Sequence, residues 1–288
     1  MPELPDLLHV VSKLRGRLLG RHVGKDRVRE PVVLRFAVHG NLSLLQGRPL
    51  LDLFRKSHFL VFRFEGLDLA VNPMLAGRFR LAEPGERDEA AMAFALEFEA
   101  PPEGSAEQLD PVELRYLDDK KMGKAYLIAT EDWKAIPGMQ TGGIDILSPE
   151  FTRERFVSLL KHRRDQVRVF LLDKKALDSL GNAYADEVLF AADIHPKTFC
   201  RALTHEDGVR LHDAIVKVMQ AAALEVAKRD LGPEVKVRDF LSVRRKEICP
   251  RCGSKIRKTG VRGMDAYFCP KCQPATRAGF VDWTRTGK

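Results

Sequence analysis

Cys249-Pro250-Arg251-Cys252, sixteen intervening residues, then Cys269-Pro270-Lys271-Cys272 is the stretch from which the rest of this chain can be read. Two C-x-x-C knuckles at that separation match the ligand spacing of a tetrahedral four-cysteine zinc site, each knuckle supplying two thiolates. A disulfide pair or a redox C-x-x-C is the other use of such cysteines. Both fit less well, because a fifth cysteine, Cys200, is left over. With all four positions taken by cysteine, the expected metal is one structural zinc, with no open site for catalysis.

Charge gathers around the same stretch. Residues 244–288 hold twelve Lys and Arg against three Asp and Glu, a net +9, while the preceding 243 residues net −1. The chain's whole +8 therefore sits on one small module. A solvated basic face is the plain explanation, but so local an excess also suits a phosphate-binding element. Tyr267, Phe268, Phe280 and Trp283 interleave the charges, either as bases' stacking partners or as the module's own small core.

Upstream, 288 residues at 44% hydrophobic leave room for two ordinary domains. No run of eighteen apolar residues suggests a membrane span. Asp6, Lys13, Arg15 and Arg17 interrupt the first hydrophobic stretch, so no signal peptide is expected and the cytoplasm is the expected compartment. Leu7, Val10, Val11, Leu14 and Leu18 recur at helical spacing behind Pro5 and Asp6, predicting a helix to about Gly20. From about Val32 to Ala129 the period becomes two. Residues 32–36, 59–64, 67–71, 77–81, 93–99, 112–117 and 125–129 read as strands of an antiparallel sandwich or barrel. The Gly- and Pro-dense 136–148 reads as a linker. Helical patterns follow over 149–161, 167–177, 181–192, 197–203 and 204–231, the last capped by Thr204 and stopped by Gly232-Pro233. The domains expected are 1–135, a β-sandwich with a leading helix; 149–243, helical; and 244–288, the finger. The fold class is α+β.

Three motifs in this order carry a resemblance: Met1-Pro2-Glu3-Leu4-Pro5 at the start, Gly181-Asn182-Ala183-Tyr184-Ala185-Asp186-Glu187 with Ile194-His195-Pro196, and the closing cysteine knuckles with Gln273. Together the chain resembles the formamidopyrimidine-DNA glycosylase / endonuclease VIII family of bifunctional DNA glycosylases. The resemblance implies a β-sandwich, a helix-two-turns-helix domain and a zinc-finger hairpin that bind damaged double-stranded DNA between them, as a monomer. It also implies chemistry. Once the lesion is out of the stack, the secondary amine of Pro2, freed by removal of Met1, attacks C1′ and gives an iminium that promotes strand cleavage by β- and δ-elimination. Glu3 would move protons. Alone, Pro2-Glu3 is equally a helix start. Asn182 matches the asparagine that grips a backbone phosphate, and Arg262 on the finger hairpin is the candidate phosphate clamp. Arg262 lies two residues further from Cys269 than the family spacing, and Met264 holds the matching offset.

Several positions depart from the family pattern. In Arg55-Lys56-Ser57-His58-Phe59-Leu60, His58 stands where the family has a phosphate-binding lysine, and Lys56, expected on the same strand face, is a substitute. Leu75 replaces a wedge methionine, Met122 a wedge phenylalanine and Lys120 an arginine. Apolar wedges survive these changes. The bidentate fork of arginine does not, so looser or altered opposite-base selectivity is expected. The loop that caps 8-oxoguanine is missing before Cys249, pointing towards ring-opened purines, oxidised pyrimidines, hydantoins or abasic sites. Asp6 stands for a glutamate. Two alternatives remain open at this level: a non-catalytic protein that binds damaged DNA, and a lyase acting mainly at abasic sites.

Overall fold

The computed structural model describes residues 2–35, 41–100, 110–140 and 142–275. Phe36, Phe280 and Trp283 lie outside them. The chain divides into two compact units, residues 1–140 with 226–237, and residues 141–225 with 238–288.

The first unit begins with α1 (Leu4–Leu18), whose Leu7, Val10, Leu14 and Leu18 are buried as their spacing predicts. Eight strands follow: β1 (Val23–Val28), β2 (Leu50–Lys56), β3 (Phe59–Phe64), β4 (Leu67–Asn72), β5 (Arg78–Ala82), β6 (Met92–Phe98), β7 (Val112–Leu117) and β8 (Lys124–Ala129). They form two antiparallel four-stranded sheets, β1-β6-β7-β5 and β2-β3-β4-β8. Strand β3 explains why Phe59-Leu60-Val61-Phe62 reads as an unbroken apolar run. Leu60, Phe62 and Phe64 enter the main core with the α1 leucines, while Phe59 and Val61 point the other way, onto Ala70, Tyr126, Ile128, Ile136 and Met139. Both faces of that sheet are therefore buried, and period two is masked. Ile136 and Met139, inside the stretch read as a linker, close the second face.

Two expectations differ here. Residues 31–33 form a 3-10 turn instead of a strand, because Pro31 has no N–H for a ladder. β1 and β2 were missed, since Val-Gly-Lys-Asp-Arg-Val and Leu-Leu-Asp-Leu-Phe-Arg-Lys lack strict alternation.

The second unit holds α2 (Arg153–Lys161), α3 (Val167–Leu171), α4 (Asn182–Ala191) and α5 (His205–Lys228), whose last turn, from Val226, belongs to the first unit. Thr204 and Asp207 cap α5 reciprocally, the Asp207 amide donating to Thr204 Oγ1 at 3.1 Å and the Thr204 amide to Asp207 Oδ2 at 2.9 Å. The predicted helix over 167–177 is only one and a half turns long. Leu177–Asp178 (β10) pairs in parallel with Ile144–Asp145 (β9). The helix expected over 197–203 is a 3-10 turn, Cys200–Ala202, with Cys200 buried and its thiol pushed up to about 12 by that burial. Antiparallel β11 (Arg257–Val261) and β12 (Met264–Phe268) make the finger hairpin.

Candidate active site and nucleic-acid interface

Glu3 is the N-cap of α1, in extended conformation. Its amide donates to Asp6 Oδ2 at 2.7 Å, and its carboxylate in turn accepts from the Asp6 amide. This reciprocal box fixes the Glu3 side chain against the first turn. Asp6, given no role by the sequence, thereby orients a candidate catalytic acid. Pro2, Glu3 and Asp6 are all buried. Pro2 and Asp6 line a small cavity of about 10 Å³ together with Pro73, Gly77, Arg78 and Lys236. That is room for about one water.

Lys236 was not singled out by its sequence. It lies eight residues beyond α5 in a segment without regular structure, and its Nζ donates to the Leu75 carbonyl at 3.3 Å. It is one of two cations, with Arg78, among the described residues lining the Pro2 cavity. His58 and Lys56 are not among those residues. The chain reverses at Ser57–His58 between β2 and β3, with Lys56 opposite Phe59, so the two residues do not share a strand face as expected. Ser57 takes φ +53° to make the turn. His58 is 4% exposed, and the Lys56 ammonium lies 5.3 Å from the Trp133 ring centroid.

The two loops read as wedges do present their apolar side chains. Leu75 is 56% exposed and Met122 40%, and Lys120 is exposed. Their bases are tightly fixed. Asp118 accepts from the Lys120 amide at 3.1 Å and the Gly123 amide at 2.6 Å, and Arg78 pairs with Asp119 at 2.6 Å. Between the loops stands the buried Tyr116, ring-packed on Phe79 and Phe94, its hydroxyl held well above the usual phenol range by burial. A Cβ on Gly77 would lie 2.1 Å from that hydroxyl, and one on Gly123 1.9 Å from it. Only glycine lets both loops close on the ring.

In the second unit the four cysteines converge. Their sulfurs lie within 4.8 Å of one another, with 3.8 Å between Cys249 and Cys272 and 3.5 Å between Cys252 and Cys269. A tetrahedron with zinc–sulfur bonds of about 2.3 Å has edges of about 3.8 Å, so this donor set fits one zinc. Phe190, Val243 and Ile256 shield the cluster on the protein side. Gln273 Nε2 donates to the Ile194 carbonyl at 2.8 Å and its Oε1 accepts from the Cys269 amide at 2.9 Å, tying the second knuckle to the end of α4.

Asn182 is the first residue of α4, behind Gly181 as N-cap. Arg262 and Gly263, both at positive φ, make the two-residue turn of the hairpin, and Arg262 is 66% exposed while pairing with Asp165 at 2.8 Å. Glu187 accepts the amides of Ser242, Val243 and Arg244, at 2.7, 3.0 and 2.9 Å. This explains how an acidic residue is tolerated in a helix buried almost throughout, although burial still pushes its carboxyl up. Phe268 packs edge-on against His195, 4.4 Å between centroids, and Tyr267 stacks under Arg244 at 4.9 Å. Both described aromatics of the finger are thus internal contacts.

A β-sandwich led by a Pro-Glu helix start, followed by a helical unit that carries a four-cysteine finger, defines a class of DNA-repair protein. Residues 1–125 match the formamidopyrimidine-DNA glycosylase N-terminal domain, 143–232 its H2TH domain, and 246–275 the zinc finger found in FPG and IleRS. The formamidopyrimidine-DNA glycosylase of Heliobacterium modesticaldum is 32% identical over 284 residues, covering 95% of this chain and 100% of its own. That of Symbiobacterium thermophilum is 30% identical, covering 95% and 90%. Among solved structures, Lactococcus lactis Fpg in complex with abasic-site DNA superposes with a TM-score of 0.82 at 27% identity, covering 94% of this chain and 99% of that one. The chain belongs to the formamidopyrimidine-DNA glycosylase family, and is a DNA glycosylase of DNA repair with a structural zinc site. No helix among the described residues is long and apolar enough to cross a membrane.

Proposed function

We propose that the chain excises damaged bases from double-stranded DNA and then cuts the strand, with Pro2 as nucleophile. The observation that carries this reading is the buried Pro2–Glu3–Asp6 arrangement at the start of α1, beside the loop that bears Leu75. With Met1 removed, the Pro2 nitrogen is a secondary amine. Its lone pair forms the N–C1′ bond as the C1′–base bond breaks, and the base leaves with a proton. The amine then sheds its proton and the ring C1′–O4′ bond breaks, O4′ leaving as a hydroxyl with a proton and C1′ becoming an iminium; this acidifies C2′–H, whose loss breaks the C3′–O bond and expels the 3′ phosphate. Glu3, held by the Asp6 box, moves the protons. Lys236 and Arg78 stand beside the amine together with the carboxylates of Asp6 and Glu234, which line the same cavity. Lys236 brings to the Pro2 cavity the fixed charge that the buried His58 does not; His58 and Lys56 serve at most in shaping the β2–β3 turn.

Asn182 and Arg262 bind backbone phosphates, and Leu75, Met122 and Lys120 fill the space left by the extruded nucleotide. Lysine at 120 makes opposite-base choice loose. The protein acts as a monomer on damaged DNA in the cytoplasm.

The test is borohydride trapping on an abasic-site duplex with untagged protein whose intact mass shows Met1 absent. A covalent complex is expected, lost when the N-terminal amine is blocked, together with a fall in strand cleavage of about 10³-fold or more. Salt-sensitive binding of that duplex without any trapped complex would mean a damage-binding protein and end the lyase reading.

A further inference from the structure

The unit that carries the finger holds a buried charge cluster that the function above does not use. Arg168, on α3, is fully buried. Its Nε donates to Asp186 Oδ1 at 2.8 Å, and its Nη2 donates both to Asn182 Oδ1 at 3.2 Å and to the Asp265 carbonyl at 2.9 Å. Arg244 completes the cluster, its Nη1 reaching Asp186 Oδ2 at 2.5 Å and the same Asp265 carbonyl at 3.0 Å. Asp186 is buried too, and burial pushes its carboxyl up against the pull of the two guanidiniums. Two cations, the buried Arg168 and the partly buried Arg244, therefore share one buried carboxylate. Such a cluster is a weak source of stability, since desolvation offsets most of the attraction. What it does impose is geometry.

The geometry at Asn182 has one chemical reading. A guanidinium only donates, so the carboxamide oxygen, not the nitrogen, must face Arg168. The amide NH2 is then turned away from Arg168, and a phosphate oxygen, only an acceptor, can bond to that NH2 but not to the carboxamide oxygen. The Asp265 carbonyl lies on β12, three residues after the Arg262 turn, so the same guanidinium also ties down the finger hairpin.

We propose that Arg168 is a positioning residue for DNA binding: held by Asp186, it locks Asn182 with its amide donor turned away from the guanidinium, so that this phosphate-binding group is preset before DNA arrives, while Arg244 keeps its own hold on the finger hairpin through the Asp265 carbonyl. This rests on the reading of Asn182 as a phosphate ligand. Preset donors lose less conformational entropy on binding, and the benefit is realised only through the group that is preset. Arg168 should therefore matter to DNA only while Asn182 is present.

The experiment is a double-mutant cycle on the full zinc-loaded chain, read as the dissociation constant for a duplex carrying a tetrahydrofuran abasic analogue. Asn182→Ala should weaken binding about tenfold, the worth of one hydrogen bond to a charged group. Arg168→Lys, which keeps the charge but not the planar fork, should weaken it about fivefold. The double variant should bind no worse than Asn182→Ala alone. In nitrogen-edited NMR spectra of the free protein, the Asn182 side-chain NH2 pair, assigned by its absence from Asn182→Ala, should shift in Arg168→Lys. If the two losses multiply to about fiftyfold, Arg168 acts independently of Asn182 and the inference is overturned, while Asn182 keeps its role. If Asn182→Ala binds like the parent, the phosphate reading fails and the inference falls with it. Should Arg168→Lys not fold, Arg168→Gln/Asp186→Asn, a neutral hydrogen-bonded pair, takes its place in the same cycle with the same two overturning outcomes.

Discussion

The metal end and the Pro2 end of this chain are assembled in opposite ways. The four zinc ligands lie within a span of 24 residues, and each knuckle makes its own turn, so the site is almost wholly local in sequence. The Pro2 cavity draws on α1, the loop after β4, and Lys236, which is 234 positions away from Pro2. The difference teaches where each site is vulnerable. A local site fails when a ligand is lost. A site gathered across a fold fails when the packing that brings its parts together is disturbed, even by residues that never touch substrate.

The largest expected effect tests the local end. Chelating the metal, or Cys249→Ser, should unfold the finger, since apparent zinc binding in such modules is worth about 10–16 kcal/mol. Metal analysis should give one zinc per chain, and DNA affinity should collapse with its loss. Thiol titration sharpens the point: at pH 8 four thiols should react once zinc is chelated, and Cys200, pushed up to about 12, only after full denaturation. A fifth fast thiol in the chelated but otherwise native protein would contradict the buried position of Cys200.

An intermediate effect tests the gathered end. Gly77→Ala and Gly123→Ala should each cost about 2–3 kcal/mol in urea unfolding, because neither loop can retreat from Tyr116 without moving its own backbone. The two should answer differently to Tyr116→Phe. At Gly123 the nearest obstacles are the Tyr116 hydroxyl and ring carbon, so removing the hydroxyl relieves part of the cost. At Gly77 the Pro73 carbonyl, 2.3 Å from the added Cβ, remains. Equal rescue at both sites would show that the Pro73 carbonyl is no obstacle at Gly77, and rescue at neither would show that the Tyr116 hydroxyl is not what excludes a side chain.

The smallest effect is on stability, at the tips of the same loops. Leu75→Ala and Met122→Ala remove exposed side chains, so each should change unfolding free energy by no more than about 0.5 kcal/mol. Base excision should nevertheless slow, with abasic-site cleavage less affected, because a wedge matters most while an intact base must be held out of the stack. A stability loss near that of the glycine variants would place these side chains in the core instead.

Some of this is legible in the residues alone. The spacing of the four cysteines specifies their site because ligand geometry dictates spacing over a short chain segment. Leu7, Val10, Leu14 and Leu18 declare α1, and Thr204 declares the start of α5, because helix periodicity and capping are local. The two cores of β3 are not legible, since a strand buried on both faces loses its alternation. Neither is the early end of the helix expected over 167–177, which gives way after Leu171 to a turn held by Asp173 and then to Leu177's pairing with Ile144, 33 positions away.

By itself, then, the sequence determined the zinc ligands, the family and the α+β layout, each written in residues close together along the chain. Only the tertiary structure decided that Asp6 holds Glu3, that His58 and Lys56 lie apart at a turn while Lys236 lines the Pro2 cavity, and that Arg168 grips Asn182. These depend on side chains meeting across distant segments, and a buried donor or carboxylate reveals its partner only when the fold brings the two within hydrogen-bonding reach.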